Sequence, residues 1–363
     1  MRKVIFKKIF LLLPFLPVVW IYRLVISIRN FCYDHAIFKM TKLPALVVSI
    51  GNLSAGGTGK TPLTILLANT LHAGGWKVAI VARGYRRQKK GLVVVSDGRQ
   101  ILARIAEAGD EPLLMAQACA GVPVIVDEQK KIAAAAAVEK FAPDLVLVDD
   151  GFQHRQLHRD IDIVLVEAET PLSNLWWFPA APMREPASSL RRAGFVIINT
   201  GGGEASQPLK EKYRRYTPAK FFFGALRGSG WRELAEASNK LLPPAFVKDQ
   251  AVILVSGIAQ PERFRAMAEK FGGRVVREIK FRDHHRYQEN DLRTIAAARK
   301  AAGARYILTT TKDAVKLALC PGAAAEPILV LETDFVLETE FGQIFPDAVA
   351  KINVQKLPAL NET

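Results

Sequence analysis

Residues 54–61 read SAGGTGKT, with three glycines, a lysine and two threonines in eight positions. Glycines let successive backbone N–H groups turn toward one point, a lysine adds a full positive charge, and a threonine offers a hydroxyl. Such a set cradles phosphate oxygens and holds a hard cation beside them. Ser54, Ala55, Gly56, Gly57, Thr58, Gly59, Lys60 and Thr61 are therefore expected to bind ATP. Lys60 would reach the β- and γ-phosphates, and the Thr61 hydroxyl would ligate Mg²⁺. The competing reading is an ordinary Gly-rich turn before Lys-Thr.

The elements around the loop decide between the two. ALVVSI (45–50) is a short, β-branched apolar run, as a buried parallel strand should be. Pro62 then opens a helical pattern with Leu63, Leu66, Leu67 and Leu71 on one face. Strand, Gly-rich loop and helix are the setting of a Walker A phosphate loop, and the helix N-terminus adds partial positive charge there. The loop departs from G-x-x-x-x-G-K-[ST] at its first position, where Ser54 stands. Its GGTGKT form resembles the variant loops of MinD-like NTPases.

DLVLVDDGFQH (144–154) is a second signal, an apolar strand ending in two carboxylates. In an open α/β sheet ligands gather at the carboxyl ends of strands, which puts Asp149 and Asp150 beside Lys60 and Thr61. Asp149 then belongs to the magnesium shell; a polar Asp-Gly turn is the alternative. Further strands are read at 77–83, 91–95, 122–126, 161–168 and 195–200. The fold class is α/β, a doubly wound, mostly parallel sheet domain. Beyond Gly201-Gly202-Gly203 the pattern restarts as a smaller α/β unit without its own phosphate loop. Runs at 219–227 and 327–339 flank that unit, which suggests a two-stranded linker. The expected organisation is an N-terminal anchor at 1–30, a nucleotide-binding domain at 31–218, a smaller domain at 219–339 and a tail at 340–363. A ligand cleft is expected between the two domains.

The anchor rests on Ile9 to Tyr22, fourteen residues without a charge, followed by Arg23. A span wants about 20 apolar residues. Positive residues flank both ends (Arg2, Lys3, Lys7 and Lys8 before, Arg23 and Arg29 after), which a single span cannot place on one side. A helix or bent hairpin lying in the interface satisfies both flanks; spanning and packing on the protein's own core are the alternatives. The net charge of +15, from 50 Lys plus Arg against 35 Asp plus Glu, favours an anionic partner. No groove-entering motif or interleaved aromatics point to nucleic acid. The three cysteines lie far apart, which argues against disulfides and structural zinc.

GNLSAGGTGKTP, ARGYRR (82–87), AGDEP (108–112), DDGFQH (149–154), MREP (183–186), FRDHH (281–285) and TTTKDAVKL (309–317) occur in this order. The ordered set resembles the tetraacyldisaccharide 4'-kinases of lipid A synthesis over nearly the whole chain. The resemblance implies an ATP- and Mg²⁺-dependent kinase at the cytoplasmic face of the bacterial inner membrane. It would phosphorylate the 4'-hydroxyl of tetraacyldisaccharide 1-phosphate, acting as a monomer on an anionic membrane surface. By the same resemblance Asp110 and His284 form a dyad, His284 accepting the hydroxyl proton and Asp110 orienting it. Asp110 could equally cap the helix that Pro112 opens. Since neighbouring side chains of an extended segment diverge, only one of His284 and His285 should face the site. With the dyad divided between two domains, closure would have to bring it together. Arg83 would contact phosphate, Glu185 would sit near the metal, and Asp150, Gln153 and His154 would line the site. Lys130 stands where the family tends to carry Arg. A MinD-like membrane-associated switch ATPase is the alternative class, and it needs no acceptor-directed base.

Overall fold

The computed structural model describes residues 16–54, 56–168, 183–235 and 240–356. Residues 9–15 of the apolar run and Ala55 of the loop lie outside them. Among the described residues the strands begin with β1 (Leu46–Asn52), β2 (Val78–Ala82), β3 (Val93–Asp97), β4 (Pro123–Val126), β5 (Leu145–Asp149) and β6 (Ile161–Glu167). They continue with β7 (Phe195–Asn199), β8 (Lys220–Glu233), β9 (Ala251–Ser256), β10 (Arg274–Lys280), β11 (Tyr306–Thr310) and β12 (Ile328–Leu337).

The chain forms two compact units that interleave along the sequence. The first takes the described residues up to Lys60, Leu145–Gly224 and those from Leu337; the second takes Thr61–Asp144 and Ala225–Val336. These limits differ from the contiguous boundaries that the sequence suggests at 30, 218 and 339. The physical reason is helix packing far apart in sequence. The Asp110–Ala118 helix lies against the Thr311–Leu317 helix and carries 61–144 into the second unit.

In the first unit β1 lies between β5 and β6 and runs parallel to both. β7 pairs with β6, and Lys220–Gly224 of β8 pair with β7, again in parallel. Every residue of β1 and β5 is buried, which is why both are mostly apolar, with Ser49, Asn52 and Asp149 as their buried polar members. Phe152, Met183, Leu190, Tyr213 and Phe223 share one core with Val164 and Val166 of β6 and Val196 and Ile198 of β7. In the second unit β4 pairs in parallel with β2 and antiparallel with β3. There β9 lies between β10 and β11, and β11 pairs with β12, all in parallel. Val252 and Leu254 of β9 face one core and Ile253 and Val255 the other, the two-residue alternation of a doubly covered strand.

The Leu16–Asp34 helix turns Val18, Trp20, Ile21, Leu24, Val25 and Ile28 outward and exposed, while Val19 and Ile26 are buried. Among the described residues no helix is long and apolar enough to cross a membrane. Polar contacts seat the helix on the first unit. Tyr22 donates its hydroxyl to the Arg184 carbonyl at 3.1 Å. Arg29 donates to Glu185 Oε1 at 3.3 Å, and Asn30 and Arg192 donate to Oε2 at 3.2 and 2.9 Å. Glu185 is wholly buried. Two guanidiniums and an amide engage both carboxylate oxygens, which makes Glu185 the counter-charge that fixes the helix.

Burial acts to raise the Glu185 pKa, yet Arg192 and Arg29 outweigh it and hold the carboxyl below the usual range. The pair thus stabilises the fold fully above the ordinary glutamate pKa of about 4.3 and loses that contribution as pH falls through the lower folded value. Glu185→Ala leaves the largely buried Arg192 without its partner, which should cost about 3 kcal/mol in urea unfolding at pH 7. The gap to wild type should close in acid. Equal stability at neutral pH would contradict this role.

Candidate active site

β1 leads directly into the Gly-rich loop. Gly56 and Gly59 have φ of 128° and 94°, a region that side chains rarely adopt, and an added Cβ at Gly56 or Gly57 would meet nothing within 4 Å. The loop thus turns toward open space. Two buried amides tie it to the sheet, Asn52 donating to Thr58 Oγ1 at 3.0 Å and Asn199 to the Thr58 carbonyl at 2.9 Å. Ser54 forms an isolated bridge with Met183. The Lys60–Ala73 helix starts at the lysine, with Thr61 in its first turn.

Lys60 Nζ lies 3.4 Å from Asp150 Oδ1, and Arg184 donates to the same carboxylate at 3.1 Å. Asp150 holds a left-handed φ of 50°, an uncommon state for a non-glycine residue. Asp149, buried, ends β5 opposite Ile50 of β1. Gln153 donates to the Asn52 carbonyl at 2.9 Å, and the His154 N–H donates to the Gly151 carbonyl at 2.9 Å. The structure therefore gathers Lys60, Asp150 and Gln153 around the loop. Among the described residues no group of three or more His, Cys, Asp or Glu could hold a metal by itself. A cation here would take much of its shell from phosphate oxygens and water, as Mg²⁺ does. The hard oxygens of Thr61 and Asp149 fit that ion.

The second cluster lies wholly within the second unit. There the AGDEP and ARGYRR loops approach so closely that a Cβ on Gly84 would fall 2.7 Å from the Ala108 carbonyl oxygen. Glycine is required at that contact, which sets Asp110 as the first residue of the Asp110–Ala118 helix. Asp110 Oδ2 lies 2.8 Å from His284 Nδ1. The helix N-cap is Gly109, with no side-chain cap bond; Asp110 is the first helical residue, its Oδ1 accepting from the Glu111 N–H at 3.1 Å while Oδ2 meets His284. The two residues are not on separate domains awaiting closure; both belong to one unit, and the pair is already formed.

His284 follows β10 with a left-handed φ of 61°. Its N–H donates to the Gly257 carbonyl at 3.1 Å, and the Gly257 N–H donates to buried Asp313 at 2.9 Å. His285 turns elsewhere, its Nε2 at 2.9 Å from Asp291 and its ring stacked on Phe281 with centroids 4.4 Å apart. Burial acts to raise the Asp110 pKa, but the His284 hydrogen bond, Lys312 and Lys316 outweigh it and hold the carboxyl below the usual range. An ionised carboxylate only accepts. His284 must therefore carry a proton on Nδ1, and its neutral form then has the lone pair on Nε2.

Arg83 is exposed just after β2, and Lys130 is buried at the start of the Lys130–Phe141 helix. Residues that the sequence leaves without a role do reach these clusters. Arg184 reaches Asp150, Glu111 pairs with Lys312 at 3.0 Å, and Lys312 Nζ lies 3.3 Å from His284 Nε2. Their motifs, MREP, AGDEP and TTTKDAVKL, were the available signal.

A phosphate loop closed by an acidic strand end, in a chain that also carries a carboxylate-oriented histidine, defines a nucleotide-binding phosphotransferase. The family model described as tetraacyldisaccharide-1-P 4'-kinase matches residues 11–350. The tetraacyldisaccharide 4'-kinase of Syntrophus aciditrophicus (strain SB) is 37% identical over 310 residues, 82% of each chain. That of Bdellovibrio bacteriovorus is 38% identical over 307 residues, 83% of this chain and 88% of the relative. The crystal structure of "apo" form LpxK from Aquifex aeolicus in complex with ATP superposes with a TM-score of 0.73 at 30% identity, over 93% of this chain and 98% of that one. The chain belongs to the tetraacyldisaccharide 4'-kinase family.

General-base assistance is worth about 10²–10⁴-fold, so Asp110→Ala and His284→Ala should each lower kcat for lipid phosphorylation by that order. His285→Ala removes one hydrogen bond near a helix start and should cost on the order of 1 kcal/mol of stability, with kcat little changed. A crippling His285→Ala beside an active His284→Ala would reverse the assignment.

Proposed function

We propose that the chain transfers the γ-phosphoryl group of ATP to the 4'-hydroxyl of tetraacyldisaccharide 1-phosphate, at the cytoplasmic face of a bacterial inner membrane. The observation that carries this reading is the 2.8 Å Asp110–His284 pair in a chain that also has a phosphate loop. Asp110 keeps the proton on Nδ1, and His284 takes the acceptor hydroxyl proton at Nε2. As that proton leaves, the acceptor oxygen bonds to the γ-phosphorus, the bond to the β,γ-bridging oxygen breaks, and ADP departs. Lys60 and the loop N–H groups offset the charge that moves onto the bridging oxygen. Thr61 and Asp149 are the residues that would hold Mg²⁺, which neutralises phosphate charge when bound. Arg83 and Lys130 are assigned to phosphate contacts, and Gln153 and His154 to lining the nucleotide site.

The outward apolar face of the Leu16–Asp34 helix supports binding in the interface, where a tetraacylated substrate resides. The charge of +15 adds attraction to an anionic surface, roughly 1 kcal/mol for each Lys or Arg near it. A switch ATPase is the weaker reading, since it has no use for a histidine held as an acceptor-directed base.

Thin-layer detection of label from γ-³²P-ATP on a lipid A disaccharide 1-phosphate tests the reading. Wild type should label the lipid, and Lys60→Ala should lower the rate by at least about 10²-fold. ATP hydrolysis without lipid labelling would contradict it and favour the switch.

A further inference from the structure

Lys312 sits in the first turn of the Thr311–Leu317 helix, which Thr310 caps by accepting from the Asp313 N–H. Its side chain is mostly buried, and its ammonium has three neighbours. Glu111 Oε1 lies at 3.0 Å, His284 Nε2 at 3.3 Å and Asp283 Oδ1 at 3.6 Å. An ammonium has three donors and no lone pair. Its approach to Nε2 is attractive only while that nitrogen bears a lone pair.

We propose that Lys312 is a positioning residue for phosphoryl transfer, donating to Nε2 while Asp110 accepts from Nδ1, so that His284 is held in its base-competent tautomer and its early protonation is opposed. The inference rests on the reading of His284 as the base and adds a residue to that site. Glu111 and Asp283 remain as partners for the ammonium when the acceptor hydroxyl takes over Nε2.

The surrounding charges fix the sign. The Asp110–Ala118 helix presents Asp110 and Glu111, and the Thr311–Leu317 helix presents Lys312 and Lys316, the latter 3.8 Å from Asp110 and 3.1 Å from Asp313. The loop of His284 itself adds Asp283, whose Oδ2 is 3.8 Å from Nε2. The 84–87 turn adds the Tyr85 ring, 5.1 Å from the imidazole, and Arg86, which donates to the Asp283 carbonyl at 2.6 Å. Asp110, Glu111 and Asp283 all favour an imidazolium, and Lys312 is the cation in contact with Nε2 that opposes one. Burial acts to lower the Lys312 pKa, but Glu111, Asp110 and Asp283 outweigh it and hold it above the ordinary lysine value. The ammonium therefore stays charged throughout the working range.

The test is the pH dependence of kcat at saturating ATP and lipid, on full-length wild type, Lys312→Met, Lys312→Arg and His284→Ala. Lys312→Met uncovers the carboxylates and should move the acid limb to higher pH by roughly one pH unit, the size of a neighbouring-charge effect, with activity recovering in alkali. Lys312→Arg keeps the charge and should leave the limb in place. A loss of equal size at every pH in Lys312→Met, or a displaced limb in Lys312→Arg, overturns the inference. If His284→Ala retains the wild-type limb, the base assignment itself falls. If His284→Ala abolishes the limb and Lys312→Met leaves it unmoved, only the role of Lys312 falls. Nitrogen-15 spectra of wild-type His284 at pH 8.5 need no folded variant; a proton on Nδ1 supports the proposal, and one on Nε2 overturns it.

Discussion

The hydrogen bond between Asp110 and His284 joins residues 174 positions apart, and much of the second unit is arranged around it. Asp110 is set by the close passage of two loops that only glycine permits at residue 84. His284 is set by a left-handed backbone turn held through Gly257, whose N–H is held in turn by buried Asp313. A strained φ of this kind persists where surrounding contacts over-determine it. Here they do so from β9, from the FRDHH loop and from the Thr311–Leu317 helix.

Two buried carboxylates show how surroundings assign roles to one chemical group. Burial disfavours the charge on both Asp110 and Glu185, and neighbouring cations restore it on both. Glu185 meets two guanidiniums that take its oxygens outright, so it fixes a helix. Asp110 meets a titratable imidazole and two lysines, so its charge passes on as a preference for one tautomer. The Leu16–Asp34 helix and the phosphate loop share the MREP turn. Arg184 accepts from Tyr22 through its carbonyl and donates to the Asp150 carboxylate beside Lys60.

The α/β class and the phosphate loop were legible because they rest on local patterns. ALVVSI and DLVLVDD are short apolar runs bounded by Gly or Asp, and buried parallel strands have no other appearance. Asp110 was ambiguous because a carboxylate before Pro112 serves equally well as a cap or as the partner of a histidine far along the chain. The helix-seating contacts of Glu185 were not legible because Arg29 comes from 156 residues away, and nothing in MREP announces it. The interleaving of the units likewise rests on contacts such as those of the 110–118 helix with the 311–317 helix and of Arg86 with Asp283, which no local periodicity encodes. Lys312 stood in a noticed motif, but its place on Nε2 follows only from three-dimensional proximity.

The central claim is that Asp110 and His284 act as one unit, and a double-mutant cycle measures that directly. With kcat for lipid phosphorylation measured for Asp110→Ala, His284→Ala and the double variant, groups acting together lose little more in the double than in the poorer single. That is the result this account predicts. Single losses that multiply in the double variant would contradict it and leave Asp110 with a separate, structural task.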